Sequence, residues 1–99
     1  GLVYGARGAI TSCANIAPDL AVDIYRKYKA GDMQGALEAQ YKFSALRIST
    51  NMGTFPVVIK EGLNLRGFNV GKCLPPIQPL GEGDREKLRA VLEQIGALK

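Results

Sequence analysis

The chain has 99 residues, 46% of them hydrophobic, and 13 Lys and Arg against 9 Asp and Glu give a net charge of +4. That length allows one small domain whose core closes only if its apolar faces match one another, and the cations are interleaved with acids, with no basic tract and no base-stacking aromatic motif, which argues against nucleic acid as a partner. The absence of histidine and the wide separation of Cys13 and Cys73 exclude the common zinc patterns and a disulfide framework, and no apolar run approaches the length of a membrane span.

Gly1 to Arg7 reads as the tail of a preceding element, with Leu2, Val3 and Tyr4 followed by Gly5, a residue suited to ending a helix. The opening lacks a charged region ahead of a long apolar core, so no secretory leader is expected, and reduced thiols in a cytoplasmic protein are. Gly8 to Asn15, Gly-Ala-Ile-Thr-Ser-Cys-Ala-Asn, is the one stretch that reads as a buried β-strand, being small, apolar and free of charge. It runs into Pro18, which fits the first turn of a helix because its missing N–H has no intrahelical partner there. A buried strand feeding a helix is the repeating unit of parallel α/β folds, whose functional groups gather at the carboxyl ends of the strands. Attention therefore falls on Thr11 to Asn15. A lone strand would leave its ladder groups unpaired on both sides, so the chain is expected to belong to a larger fold.

The first helix is expected over Pro18 to Ala30, with Ala17, Ala21, Ile24 and Tyr28 on one face, and Gly31 stops it. Asp32 is a good N-cap for a second helix over Met33 to Thr50, where Met33, Ala36, Leu37, Tyr41, Ala45 and Ile48 recur at helical spacing. Pro56 opens a third helix to Arg66, ended by Gly67. Phe68 to Gly83 holds Pro75, Pro76 and Pro79 and is expected to be extended, lying across a surface. A final amphipathic helix over Asp84 to Ile95 carries Leu88, Val91, Leu92 and Ile95.

The order of these motifs carries a resemblance. Gly8-Ala9-Ile10-Thr11-Ser12-Cys13-Ala14-Asn15 followed by Pro18, then Ala30-Gly31-Asp32, Ala36-Leu37-Glu38-Ala39-Gln40, Phe55-Pro56-Val57-Val58-Ile59-Lys60 and Pro75-Pro76-Ile77-Gln78-Pro79-Leu80 resemble the C-terminal third of the dihydrodipicolinate synthase and N-acetylneuraminate lyase family of class I aldolases. The resemblance implies an α/β fold, a (β/α)8 TIM barrel of which this chain supplies the end: the tail of helix seven, strand eight and helix eight within residues 1–30, and a helical extension over residues 31–99. The segment itself would be mainly α. Such extensions pack beside the barrel and help form tetramers, so the rest of the barrel and a homotetramer or dimer are the partners implied.

The chemistry implied is carbon–carbon bond formation or cleavage through a Schiff base between a lysine and a 2-oxo acid, usually pyruvate, with no added cofactor and no metal. The imine serves as an electron sink. The first expectation within the family is condensation of pyruvate with aspartate semialdehyde in lysine biosynthesis; an N-acetylneuraminate lyase or another 2-oxo acid aldolase is the alternative. The family's imine-forming lysine lies on strand six and its other catalytic residues on earlier strands, so this chain alone is expected to be inactive. One substrate contact maps here, the main-chain carbonyl of Ile10, with Thr11 and Asn15 as supporting candidates.

The residues themselves also admit plainer roles. Ile10 is a natural core residue, Asn15 a turn or cap residue, Cys13 a small core residue and Cys73 a loop thiol. Thr11 and Ser12 lack a histidine to act as general base, and Lys60 reads as a helix lysine reaching solvent rather than a desolvated imine-forming amine. From a different class altogether, the chain reads as a stand-alone helical oligomerisation module.

Overall fold

Gly31 and Asp32 make the corner around which the molecule turns. Gly31 takes a left-handed backbone, φ 81°, which a residue without Cβ adopts without strain. Asp32 then accepts the amide of Gly35 on its carboxylate at 2.9 Å, satisfying one of the orphan donors at a helix start. The result is a tight antiparallel hairpin of α1 (Pro18–Lys29) and α2 (Met33–Ser49). The computed structural model describes residues 1–98, and two further helices follow, α3 (Val57–Leu65) and α4 (Glu82–Gln94).

The boundaries follow local chemistry. Pro18 sits at the first position of α1, as its ring favours. The helical path beyond Ser49 tightens into a 3-10 turn over Thr50–Met52, so α2 ends one residue earlier than its sequence pattern suggests. Pro56 precedes α3 rather than belonging to it, and its carbonyl accepts the amides of Ile59 and Lys60 at 3.0 and 3.2 Å. α4 begins at Glu82, two residues before the expected start, because Glu82 and Asp84 place acids at the positive end of the helix.

No strand forms among the described residues. Ser12–Asn15 is a 3-10 turn, and Thr11, just before it, has extended angles, φ −140° and ψ 130°. The expected strand over Gly8 to Asn15 is therefore corrected: a ladder needs a neighbouring strand, and with none present the polar end of the segment satisfies itself locally. Ala14, Ile16 and Ala17 donate to the carbonyls of Thr11, Cys13 and Cys13 at 3.3, 3.0 and 3.0 Å. At the start of the chain, Leu2–Tyr4 is a single 3-10 turn closed by Gly5 at φ 91°.

The core gathers where that turn meets α2, α3 and α4. Cys13, Ile16 and Ala17 from the turn pack with Phe43 and Leu46 of α2, Val57, Val58 and Ile59 of α3, and Leu88, Leu92 and Ile95 at α4. Fully burying a side chain such as Leu46 or Leu92 contributes roughly 1.5–3 kcal/mol. α1 contributes no fully buried residue; Leu20, Ala21 and Ile24 are only half-buried. Its apolar face is thus incompletely covered by this chain.

α2 presents apolar residues on more than one side, and packing chooses among them. Of the stripe expected through Met33, Ala36, Leu37, Tyr41, Ala45 and Ile48, Ala36 is buried and Ala45 packs partly against the core, but Met33, Leu37, Tyr41 and Ile48 face solvent; the buried residues are Ala36, Ala39, Phe43, Leu46 and Ser49. Periodicity alone cannot rank two apolar stripes on one helix. The core selects the one that meets Ile16 and Leu88.

The long connection after α3 is tied down by that helix. Asn64 donates through Nδ2 to the Gly71 carbonyl at 2.9 Å and accepts the Val70 amide at 2.8 Å, so one side-chain amide stands in for a short stretch of sheet. Lys60 Nζ donates to the carbonyl of Lys72 at 2.9 Å.

Candidate functional site

Ile10 and Thr11 sit on the stretch that enters the Ser12–Asn15 turn, and Asn15 is the last residue of the turn. Ile10 is fully exposed, the opposite of the core residue its side chain suggests, because none of the described residues covers its side chain. Its carbonyl accepts no backbone hydrogen bond among the described residues, which leaves a free acceptor. Thr11 is half-buried and its carbonyl closes the turn through Ala14. Asn15 is exposed, and its Nδ2 donates to the Ser12 carbonyl at 3.0 Å. Asn15 is a turn-closing residue here.

A groove of about 450 Å³ opens beside this turn. Gly8, Ala9 and Thr11 form one wall, Tyr25 and Tyr28 of α1 and Phe43 of α2 others, and Arg47 stands at one side as its single charged lining residue. Ile10 and Asn15 do not line it. A second cavity, about 580 Å³, lies between the start of α1 and Ile95–Ala97 and contains Arg26 and Arg66 but none of the expected site residues. The sequence offers no signal that would single out Arg47, since its cation is one of many along the helices.

The thiols and two of the lysine amines sit in different surroundings. Cys13 is fully buried, and burial pushes its thiol up from the ordinary 9.0, outweighing the Ser12 hydroxyl, the Arg47 charge and the Thr11 hydroxyl, which favour the thiolate. It stays a protonated core residue at neutral pH. Cys73 is a free, half-buried loop thiol. Lys60 is committed to the Lys72 carbonyl, and Lys27 is paired with Asp23 at 2.8 Å, a carboxylate that raises its pKa and keeps its amine protonated. Among the described residues no three His, Cys, Asp or Glu side chains converge as a metal site would require. Nor is any helix long and apolar enough to cross a membrane.

A sequence profile of the dihydrodipicolinate synthetase family matches residues 1–95. The chain belongs to that family. An uncharacterized DapA-like lyase of Halobacterium salinarum is 35% identical over 98 residues, covering 99% of this chain and 32% of the relative. The 4-hydroxy-tetrahydrodipicolinate synthase of Brachyspira hyodysenteriae is 33% identical over 98 residues, 99% of this chain and 33% of that protein. Among solved structures, a dihydrodipicolinate synthase described as the first monomeric variant superposes with a TM-score of 0.89 at 32% identity, over 98% of this chain and 32% of its own. The N-acetylneuraminate lyase of Proteus mirabilis superposes with a TM-score of 0.85 at 26% identity, over 99% of this chain and 33% of its own. This family member spans about a third of the length of the curated relatives it matches.

Proposed function

We propose that this chain is the closing segment of a Schiff-base-forming 2-oxo acid aldolase, with Gly8 to Ser12 at the place of strand eight, α1 as helix eight, and residues 31–99 as the helical extension. The observation that carries the reading is the close superposition of nearly the whole chain on the C-terminal part of dihydrodipicolinate synthases, at a TM-score of 0.89. It accounts for the missing strand partners, the half-covered face of α1 and the open groove beside Gly8 and Ala9. Each is a surface that the rest of a barrel would cover.

In this reading the chain's own contribution to chemistry is positional. The free carbonyl of Ile10 lines the place of the bound 2-oxo acid, and Thr11 supports it at the rim. The imine-forming lysine comes from outside these residues, so the isolated segment is inactive. Condensation of pyruvate with aspartate semialdehyde is the reaction we favour, on the names of the relatives at 33% identity. Cleavage of an N-acetylneuraminate-like substrate is the second reading, favoured by the Proteus mirabilis neighbour. Assembly as a homotetramer or dimer, in the cytoplasm, completes the proposal.

Borohydride trapping tests it. Pyruvate's ketone condenses with a lysine amine with loss of water, and hydride addition to the imine carbon leaves a stable secondary amine. Intact mass of the complete barrel should gain the reduced pyruvyl group, whereas the 99-residue segment alone should gain nothing. An unmodified complete protein would reject the reading, and an adduct on the segment alone would move the chemistry to one of its own lysines.

A further inference from the structure

Arg66 and Ile16 lie 50 residues apart in sequence, yet the Arg66 guanidinium donates through Nη1 to the Ile16 main-chain carbonyl. Ile16 closes the Ser12–Asn15 turn, and its side chain is fully buried. One helical turn before Arg66, on the same face of α3, Gly62 lets the helix backbone reach that side chain: a Cβ there would lie 2.6 Å from Ile16 Cδ1. The guanidinium also stands over the Phe68 ring, 5.6 Å from its centroid, which fixes its plane. Thus α3 holds the residue just past the candidate site at two points, through its side chain and through its carbonyl.

We infer that Arg66 is a positioning residue for the Ile10 end of the candidate site, acting through the Ile16 carbonyl to set where the Ser12–Asn15 turn, and with it the Ile10 carbonyl, stands. The inference rests on the reading of the chain as the end of a 2-oxo acid aldolase. The turn transmits the effect because it is internally locked by the Ala14, Ile16 and Ala17 amides and by the Asn15 side chain, so it shifts as a unit. Removing the guanidinium takes the side-chain donor from a part-buried carbonyl, and the turn is then free to shift toward another partner. Small displacements of a binding group weaken the bound geometry steeply.

The test is Arg66→Met in the complete enzyme, which keeps the apolar stem and removes every donor, beside Arg66→Lys, which restores one. Arg66→Met should raise the KM for pyruvate by about tenfold while kcat at saturating pyruvate changes less than about threefold; Arg66→Lys should return KM to within about threefold of the parent. A merely structural role would instead lower the active fraction, and so kcat, with KM unchanged, and that result overturns the inference. Failure of both variants to fold also overturns it, by making Arg66 a folding residue. Hydrogen exchange separates this from failure of the functional reading: if the parent enzyme traps no 2-oxo acid, the reading falls. The clamp itself still predicts faster exchange of the Ile16 and Ala17 amides in Arg66→Met, by about tenfold, with α4 unchanged. Unchanged exchange removes the clamp.

Discussion

Gly62 lies against Ile16 so closely that a methyl group on it would stand 2.6 Å from Ile16 Cδ1 and 3.2 Å from Cγ1. Ile16 is fully buried. Gly62→Ala gains about 1 kcal/mol of helix propensity, yet forcing a methyl into a packed core costs about 1–3 kcal/mol. The balance should be a net loss on the order of 1 kcal/mol. Ile16→Val, which removes Cδ1, should relieve it, so a double-mutant cycle followed by urea unfolding should return a coupling of at least about 0.5 kcal/mol; additive effects would show that the two residues do not compete for one space.

The choice of face on α2 is equally open to test. Leu46 is fully buried and Tyr41 is 65% exposed, although sequence spacing alone puts Tyr41 in the apolar stripe. Leu46→Ala should cost about 2–5 kcal/mol. In this segment Tyr41→Ala should stay within about 0.5 kcal/mol. Chemical denaturation of the two variants decides it, and the reverse ranking would restore the stripe that periodicity suggests.

The Asp32 cap should matter in proportion to its hydrogen bond. Asp32→Ala removes the acceptor for the Gly35 amide at 2.9 Å, and loses about 1 kcal/mol of stability, while Asp32→Ser keeps most of it. Gly35 belongs to the same device, since a Cβ on it would collide with the Asp32 carboxylate. Thermal unfolding followed by circular dichroism reads both variants; equal melting of alanine and serine forms would remove the cap's role.

Stability should fall at alkaline pH partly because of Cys13. Its thiol ionises above the ordinary 9.0 when folded, chiefly through burial. The unfolded chain therefore loses this proton first, so the contribution is complete below pH 9.0 and declines as pH rises toward the higher folded value. Other groups titrate in the same range, so the comparison is with Cys13→Ala: the gap in urea midpoint between parent and variant should narrow from neutral pH to about pH 10.5. A constant gap would show that the thiol does not ionise differently on unfolding.

Much of the architecture is legible in the residues themselves, and the reason is local. Pro18, Gly31, Asp32 and Gly67 act through their own backbone or cap chemistry, so the hairpin and the helix ends fall within a residue or two of where they are expected. The apolar stripe of α4 is unambiguous, and Leu88, Leu92 and Ile95 are buried as it implies. The family is legible too, because its motifs are spread along the whole chain in a set order.

Tertiary structure decided the rest. Gly8 to Asn15 has the composition of a strand, but a ladder is a property of two strands, and in this chain its polar half folds into a turn. α2 has more than one apolar side, and only the positions of Ile16, Val58 and Leu88 determine which is buried. The link between Arg66 and Ile16 has no signature at all in the sequence, since nothing local relates residues 50 positions apart. Local chemistry sets where elements begin and end; which faces meet, and which carbonyl an arginine finds, is settled only when the elements pack.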